Sequence, residues 1–275
     1  MTDQRDPAGV RRSATGGSIL GRMQRTASRG SMQFRVLGPL EVDLGGGTIP
    51  LGGPKQRAVL AHLVLRANQL VPAETLIDQV WPEEPPEKAR NVIQTYVSRL
   101  RKALGHDRIE SHGRGYRLKL DPSELDAARF DSLMRDAKKA LPMDPHVAIA
   151  TLEDALALWR GPALADLADQ SSLLAEAARL DELRLEAQET RIEGLLAAGV
   201  QAQAIAELEV LLAGNPWRES LWGLLMLALY RAGRQEEALR SYRRAREICS
   251  MTRKARSRSS GSPLSSMARR LPPRR

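Results

Sequence analysis

Hydrophobic positions are spaced differently in the first and second halves of the chain. After residue 31, short alternating runs and runs with helical spacing follow one another closely. The elements that this pattern predicts are strands near 34–43 and 48–51, helices beginning at Pro54, Pro72 and about Pro86, the last of them ending at Leu104, and a β-hairpin over 109–120 turned by Gly113 and Gly115. A small sheet, three helices and a hairpin, in this order, predict a winged helix.

The second half of the chain predicts helices only. Their expected positions are near 125–140, 146–159, 173–198, 200–213, 217–232 and 234–248. A shift of 34 residues places Leu195 on Leu229 and Gly199 on Gly233. Thirty-four residues is the period of tetratricopeptide helix pairs, so a tetratricopeptide-like array is expected. The alternative is a generic antiparallel helical bundle.

Composition adds the ends of the chain to this picture. Residues 1–31 and 251–275 are rich in Arg and Ser and lack a hydrophobic period, so both are expected to be disordered. The predicted organisation is therefore an α+β winged-helix domain at 32–120 and an all-α domain at 121–250, between disordered termini.

Charge separates the two predicted domains. The formal net charge is +9 overall, but it is +4 over 32–120 and −7 over 121–250. From Lys88 to Lys119 there are nine basic residues and two acidic ones. Clustered positive charge favours a polyanionic partner, and DNA is the partner we expect for this region.

The third predicted helix carries the most informative chemistry. At 100° per residue, Ile93, Val97 and Leu100 form an apolar stripe that should face the core. The far side of the helix is expected to hold Asn91, Gln94, Thr95, Ser98, Arg101 and Lys102, with Arg90 and Arg99 near its rim, and it has no acidic residue. Amides can pair with adenine, Arg with guanine, and hydroxyls with phosphate, so this surface is expected to contact DNA. The candidate residues are Arg90, Asn91, Gln94, Thr95, Ser98, Arg99, Arg101 and Lys102.

The predicted hairpin supplies two further candidates. His112 and Arg114 lie at its tip, where a cation can enter a narrow minor groove. Two alternatives stay open. The basic helix face is a solvated surface without a ligand, or His112 is an exposed turn residue.

Enzyme chemistry finds no support in the sequence. Cys249 is the single cysteine, and the four histidines are not spaced as metal ligands. Phosphate-binding loops and nucleophile motifs are also missing. We therefore expect no catalytic residues, no cofactor and no metal. The apolar runs are too short to span a membrane, and a cytoplasmic, nucleoid-associated protein is expected.

Several motifs together resemble one known family. They are LGPLEV (37–42), VSRLRKALG (97–105), GYRL (115–118) and LWRGPAL (158–164). In this combination the chain resembles the SARP family of actinobacterial transcription activators. That resemblance implies an OmpR/PhoB-like winged helix followed by a bacterial transcriptional activation domain.

The resemblance also implies a mechanism. Such activators bind tandem direct repeats in double-stranded promoter DNA as side-by-side protomers or homodimers, and they recruit RNA polymerase through its sigma and alpha subunits. The regulated genes are those of antibiotic biosynthesis. By position, the recognition helix is Arg90 to Lys102 and the wing tip is His112 to Gly115. The alternative is a tetratricopeptide-like interaction scaffold with only non-specific affinity for DNA.

Overall fold

The computed structural model describes residues 32–259, without the side chains of residues 249 and 251–259. The predicted leader, 1–31, and the end of the predicted tail, 260–275, lie outside the described residues. The strands are β1 (Met32–Arg35), β2 (Glu41–Leu44), β3 (Val71–Pro72), β4 (Ile109–His112) and β5 (Gly115–Leu118). The α-helices are α1 (Pro54–Leu65), α2 (Ala73–Val80), α3 (Ala89–Leu104), α4 (Asp126–Ala140), α5 (Pro145–Leu156), α6 (Ser171–Ala197), α7 (Gln201–Gly214), α8 (Glu219–Arg231) and α9 (Gln235–Ser259). Two short 3₁₀ helices are Pro122–Glu124 and Ala165–Leu167.

Strands β1 and β2 form a two-stranded antiparallel sheet, as the alternation predicts. The strand predicted at 48–51 is wrong. Thr48 forms only an isolated bridge, and the Ile49 amide donates to the Val42 carbonyl at 2.8 Å. Pro50 comes next and has no N–H with which to continue the ladder, so pairing stops there.

The three following helices and the β4–β5 hairpin confirm the predicted winged helix. Helix α1 begins at Pro54, as expected, but α3 begins at Ala89 rather than near Pro86. The Ala89 amide donates to the Pro86 carbonyl at 2.8 Å, so a turn comes before the helix. The two-residue strand β3 is additional. It pairs with β5, which makes the order of the second sheet β3–β5–β4.

The helical region repeats its backbone geometry at the predicted interval of 34 residues. Gly199 and Gly233 both have positive φ, +78° and +76°. The Val200 amide donates to the Leu195 carbonyl at 2.8 Å, and the same bond recurs 34 residues later at 2.9 Å. The pairs α6–α7 and α8–α9 are thus joined by the same glycine-dependent turn, as the tetratricopeptide-like array predicts.

Helix α9 is longer than the sequence pattern predicts. It continues to Ser259, beyond the expected end at 248. Between 249 and 259 there is no Gly or Pro, and the Arg, Lys, Ala and Met residues there favour a helix. Although α6 and α9 exceed 20 residues, no helix between Met32 and Ser259 is both long and apolar enough to cross a bilayer.

The apolar core is continuous across residue 120, where the sequence predicts a domain boundary. One cluster of buried side chains includes Phe34 and Leu60 from the winged-helix region, and Phe130, Leu152 and Leu180 from the helical region. A second cluster lies within the array and runs from Leu185 to Leu229. The two regions therefore share a core, and we expect them to unfold together.

The β1–β2 loop is where the two regions interlock. This loop, 36–40, lies against the segment 160–166 that follows α5. The Arg160 amide donates to the Leu37 carbonyl at 2.8 Å, and the Leu40 amide donates to the carboxylate of Asp166 at 2.6 Å. The backbone groups of the buried loop are thus paired with the helical region.

Asp126 completes this junction from the start of α4. Its buried carboxylate accepts hydrogen bonds from the amides of Val36, at 2.9 and 3.0 Å, and of Leu37, at 3.0 Å. Burial raises the pKa of the Asp126 carboxyl, and the bonds from the backbone amides oppose that rise. Gly38 lies in the same loop with φ +145°, and a Cβ on it would lie 3.0 Å from the Cβ of Arg160.

A buried histidine links three helices at the other side of the shared core. The hydroxyl of Ser172 in α6 donates to the Gln79 carbonyl at 2.7 Å. With its single proton used there, Ser172 accepts from Nε2–H of His62, which lies 3.0 Å away in α1. Burial is the main cause that lowers the pKa of His62 to about 4, and the nearby charge of Arg66 adds to it. His62 is therefore neutral at pH 7.

Replacing Gly38 by Ala should destabilise the protein by about 2 kcal/mol or more. The new Cβ meets Arg160, and an alanine at this φ is strained. Urea denaturation followed by circular dichroism measures the loss. Gly47→Ala is the matched control, because a Cβ there meets nothing within 4 Å. Equal stability of both variants would contradict the close packing of the loop.

Lowering the pH should weaken the fold through His62. Its pKa is lower in the folded protein than in the unfolded chain, so the unfolded chain takes up the proton first. Stability is then lost as the pH falls from about 6.5 towards 4, by up to about 3 kcal/mol. Denaturation midpoints at several pH values, compared between the wild type and His62→Gln, isolate this contribution. His146→Gln, at an exposed site, should keep the wild-type pH dependence.

Candidate nucleic-acid interface

Helix α3 is held by an apolar stripe with a helical repeat. Its buried residues are Ala89, Ile93, Val97, Leu100 and Leu104. Beside this stripe, Tyr96 stacks on Trp81, with ring centroids 6.3 Å apart. Gly105, with φ +105°, ends the helix. These contacts fix the rotation of α3 about its own axis.

The polar face of α3 is open to solvent, as predicted. No acidic residue occurs between Ala89 and Leu104. The Thr95 hydroxyl donates to the Asn91 carbonyl at 2.9 Å, one helical turn earlier. The predicted contact residues that are exposed on this helix are Arg90, Asn91, Gln94, Thr95, Ser98, Arg99 and Lys102. The side chains of this face are therefore accessible in the free protein.

The two arginines nearest the apolar stripe bind neighbouring elements. Both lie about 60–80° from Ile93 on the helical wheel, beside the buried stripe. Arg90 forms an ion pair with Glu74 of α2. Arg101, expected on the far side of α3, is instead half-buried beside the stripe. Its Nε donates to the Ile109 carbonyl of β4 at 2.7 Å, and its Nη2 donates to Ser111 Oγ at 2.8 Å.

The wing is the β4–β5 hairpin, and its strand β5 approaches β3 very closely. Gly113, with φ +57°, turns the chain at the tip together with Arg114. Gly115, expected in the turn, lies within β5 instead. A Cβ on it would lie 2.7 Å from the carbonyl oxygen of Val71. The glycine is required because a neighbouring backbone occupies the space of a side chain.

One carboxylate, that of Glu110, lies close to three basic side chains of the wing. Glu110 lies 2.5 Å from Lys119, 2.9 Å from Arg117 and 3.0 Å from His112. The Lys119 ammonium is the main cause that lowers the pKa of Glu110 to about 2, and His112 and Arg117 add to it. The predicted minor-groove residue His112 is thus engaged within the wing, and Arg114 is exposed at its tip.

The structure brings the predicted residues of α3 and the hairpin together. Gln94 and Ser98 are exposed, and Arg101 joins the helix to the wing. Sequence reasoning missed the carboxylates of Glu74 and Glu110, which pair with cations of this surface. Pairing of the hairpin in register would have indicated Glu110, because it lies directly across from Arg117. The DNA contacts themselves stay a prediction.

The part of the chain that the structure describes contains no candidate metal site. Among residues 32–259, no group of three or more His, Cys, Asp or Glu side chains could hold an ion.

Two family models match the chain. Residues 47–118 match the model "Transcriptional regulatory protein, C terminal", and residues 125–252 match "Bacterial transcriptional activator domain". These ranges correspond to the winged helix and to the helical region.

Three known proteins are similar over about 80% of this chain. Regulatory protein AfsR of Streptomyces coelicolor is 42% identical over 80% of the chain, which spans 22% of that protein. Transcriptional regulatory protein MoaR1 of Mycobacterium tuberculosis is 39% identical over 78% of the chain and 72% of its own length. The structure of Mycobacterium tuberculosis EmbR in complex with a low-affinity phosphopeptide has a TM-score of 0.76 and 38% identity, over 78% of this chain and 59% of that one.

The Glu110 cluster should be visible by NMR. Carboxyl ¹³C titration of the wild type should place the pKa of Glu110 near 2. Lys119→Met should raise that pKa, because it removes the cation that stabilises the carboxylate most. Lys102→Met removes one charge from α3 and should leave the Glu110 pKa unchanged. If Lys119→Met has no effect, the cluster is wrong.

Proposed function

Because the chain belongs to the SARP family of transcriptional regulators, we propose that it is a sequence-specific DNA-binding activator of transcription. The observation that carries this proposal is the exposed, acid-free face of α3 beside a basic hairpin. A face of this kind fits the major groove, while a hairpin beside it reaches the neighbouring backbone or minor groove. Residues 32–120 are proposed as the DNA-binding unit and 121–250 as the activating unit.

Each exposed side chain suggests its own role at the duplex. Asn91 and Gln94 carry amides, which can pair with the edge of adenine. Arg99 and Lys102 are cations at the far side of α3 from the core, suited to phosphates. The exposed guanidinium of Arg114 at the wing tip suits the minor groove. Thr95, Ser98 and His112 supply further polar contacts at the same surface.

The proposed mechanism of activation follows the family resemblance. Protomers bind side by side on tandem direct repeats in a promoter, about one helical turn apart, and the helical array recruits RNA polymerase through its sigma and alpha subunits. Support comes from the match of residues 125–252 to an activator-domain model. The proposed targets are genes of antibiotic biosynthesis. The AfsR relatives are more than four times as long as the part matched here. The roles proposed here are those of the present chain and not of the longer relatives.

Replacing Lys102 by Ala should weaken DNA binding and reduce its dependence on salt. Selection from a random pool of duplexes first identifies the preferred sequence, and gel-shift titration across salt concentrations then measures affinity. Loss of one phosphate contact should lower the slope of log affinity against log salt by about 1. Base preference should be unchanged, because a lysine bound to phosphate reads no base.

Lys139→Ala is the matched control for that loss of charge. Lys139 lies on α4, paired with Asp136, and its removal should leave the slope unchanged. If selection with the wild type enriches no sequence and the protein binds duplexes only weakly, the interaction-scaffold alternative is favoured. The 34-residue repeat is the observation that supports this alternative. Salt-independent binding would contradict phosphate contacts altogether.

Activation needs its own measurement on the intact chain, since deletion of either region would open the shared core. Transcription reconstituted with an actinobacterial RNA polymerase, on a promoter carrying two copies of the selected sequence, should rise when the protein is added. Spacing the copies by half a helical turn should abolish the effect. Tight binding without a rise in transcription would rule out the activating role.

A further inference from the structure

Arg101 differs from its neighbours on α3 in how its guanidinium is used. Ser98 and Lys102 are exposed, whereas Arg101 is half-buried between the helix and the wing. Its Nε donates to the Ile109 carbonyl at 2.7 Å, and its Nη2 donates to Ser111 Oγ at 2.8 Å. Two directions of its planar donor group are therefore taken up by β4.

The position of β4 explains why these acceptors are available. It is the edge strand of the sheet β3–β5–β4, so one side of its backbone has no partner strand. The Lys119 amide donates to the carbonyl of Arg108, on the side of β5. By alternation, the carbonyl of Ile109 points to the open edge, where Arg101 supplies the donor that a further strand would give.

The two faces of the hairpin are used differently. Ile109 is buried, and Ser111 lies two residues on, so both belong to the face beside α3. Glu110 and His112 lie on the opposite face, together with Arg117 and Lys119. Arg101 thus contacts the face that meets the helix, and its bonds join the two elements that would contact DNA.

We infer that Arg101 is a positioning residue, which fixes the wing against the recognition helix and does not itself read a base, an assignment that rests on the proposed function. A guanidinium must present two donors side by side to pair with guanine. One of the two edges that can do so, Nε with Nη2, is already bound to β4, where the side chain is half-buried; the Nη1–Nη2 edge keeps its donors. We assign base reading on α3 to the exposed amides of Asn91 and Gln94 and to Ser98.

The first experiment measures the wing in the free, full-length protein. In Arg101→Met, which keeps an apolar stem of similar length, amides of the hairpin over 109–118 should exchange hydrogen about tenfold faster, because charge-assisted hydrogen bonds are lost. Arg99→Met removes the same charge from an exposed site and should leave this exchange unchanged. If Arg101→Met changes nothing in the hairpin, the inference is overturned.

The second experiment separates positioning from base reading. Selection from random duplexes should return the same preferred bases with Arg101→Met as with the wild type, at an affinity reduced by about tenfold. Ser111→Ala removes one acceptor without touching α3, and it should loosen the hairpin and lower affinity in the same direction. It also serves if Arg101→Met fails to fold. Loss of a single G·C preference with Arg101→Met alone would make Arg101 a base reader and overturn the inference.

The two proposals can fail separately. Hydrogen exchange is measured without DNA. Faster exchange in Arg101→Met therefore supports the tether, meaning the bonds of Arg101 to β4, even if no duplex binds. If the wild type selects no sequence, the proposed function fails while the tether stands. If the wild type selects a sequence and the hairpin exchange is unchanged in both Arg101→Met and Ser111→Ala, the tether fails and the proposed function stands.

Discussion

The backbone of the β1–β2 loop has its hydrogen-bonding partners in another region of the chain. Buried amides and carbonyls must be paired, and a loop between two short strands leaves several without a partner in its own sheet. Asp126 accepts the amides of Val36 and Leu37, and the segment 160–166 supplies further partners. Around these bonds, apolar side chains from both regions pack into one shared cluster. The winged helix is therefore completed by the helical region.

This junction gives the proposed activator a mechanical property. Shared cores are close-packed and resist small displacements, so the orientation of α3 is tied to that of the array behind it. Further bonds support the same connection, among them the paired bonds of Arg108 with Glu124, both 2.7 Å, and the bond of His62 with Ser172. In the proposed function, a duplex bound at α3 would thus also fix the orientation of the helical region.

Pairing within the protein determines which positive charges of the proposed DNA surface are free. Several of the nine cations between residues 88 and 119 are already paired. Those held in ion pairs or hydrogen bonds are Arg90, Arg101, Arg108, Arg117 and Lys119. Lys88, Arg99, Lys102 and Arg114 form no ion pair with any described residue. Net charge consequently indicates the region proposed to bind DNA, while the arrangement of carboxylates decides which of its cations are unpaired.

Local spacing in the sequence was enough to determine the kind and order of most elements, the 34-residue repeat and the acid-free face of α3. These features depend on residues a few positions apart, whose directions follow from the helix or strand itself. Tertiary structure alone decided that Val71 and Pro72 form a strand, that Arg101 holds the wing, and that the loop at 36–40 is completed from residues 126 to 166. Each of these depends on contacts between segments that are distant in the sequence, and local periodicity carries no information about such contacts.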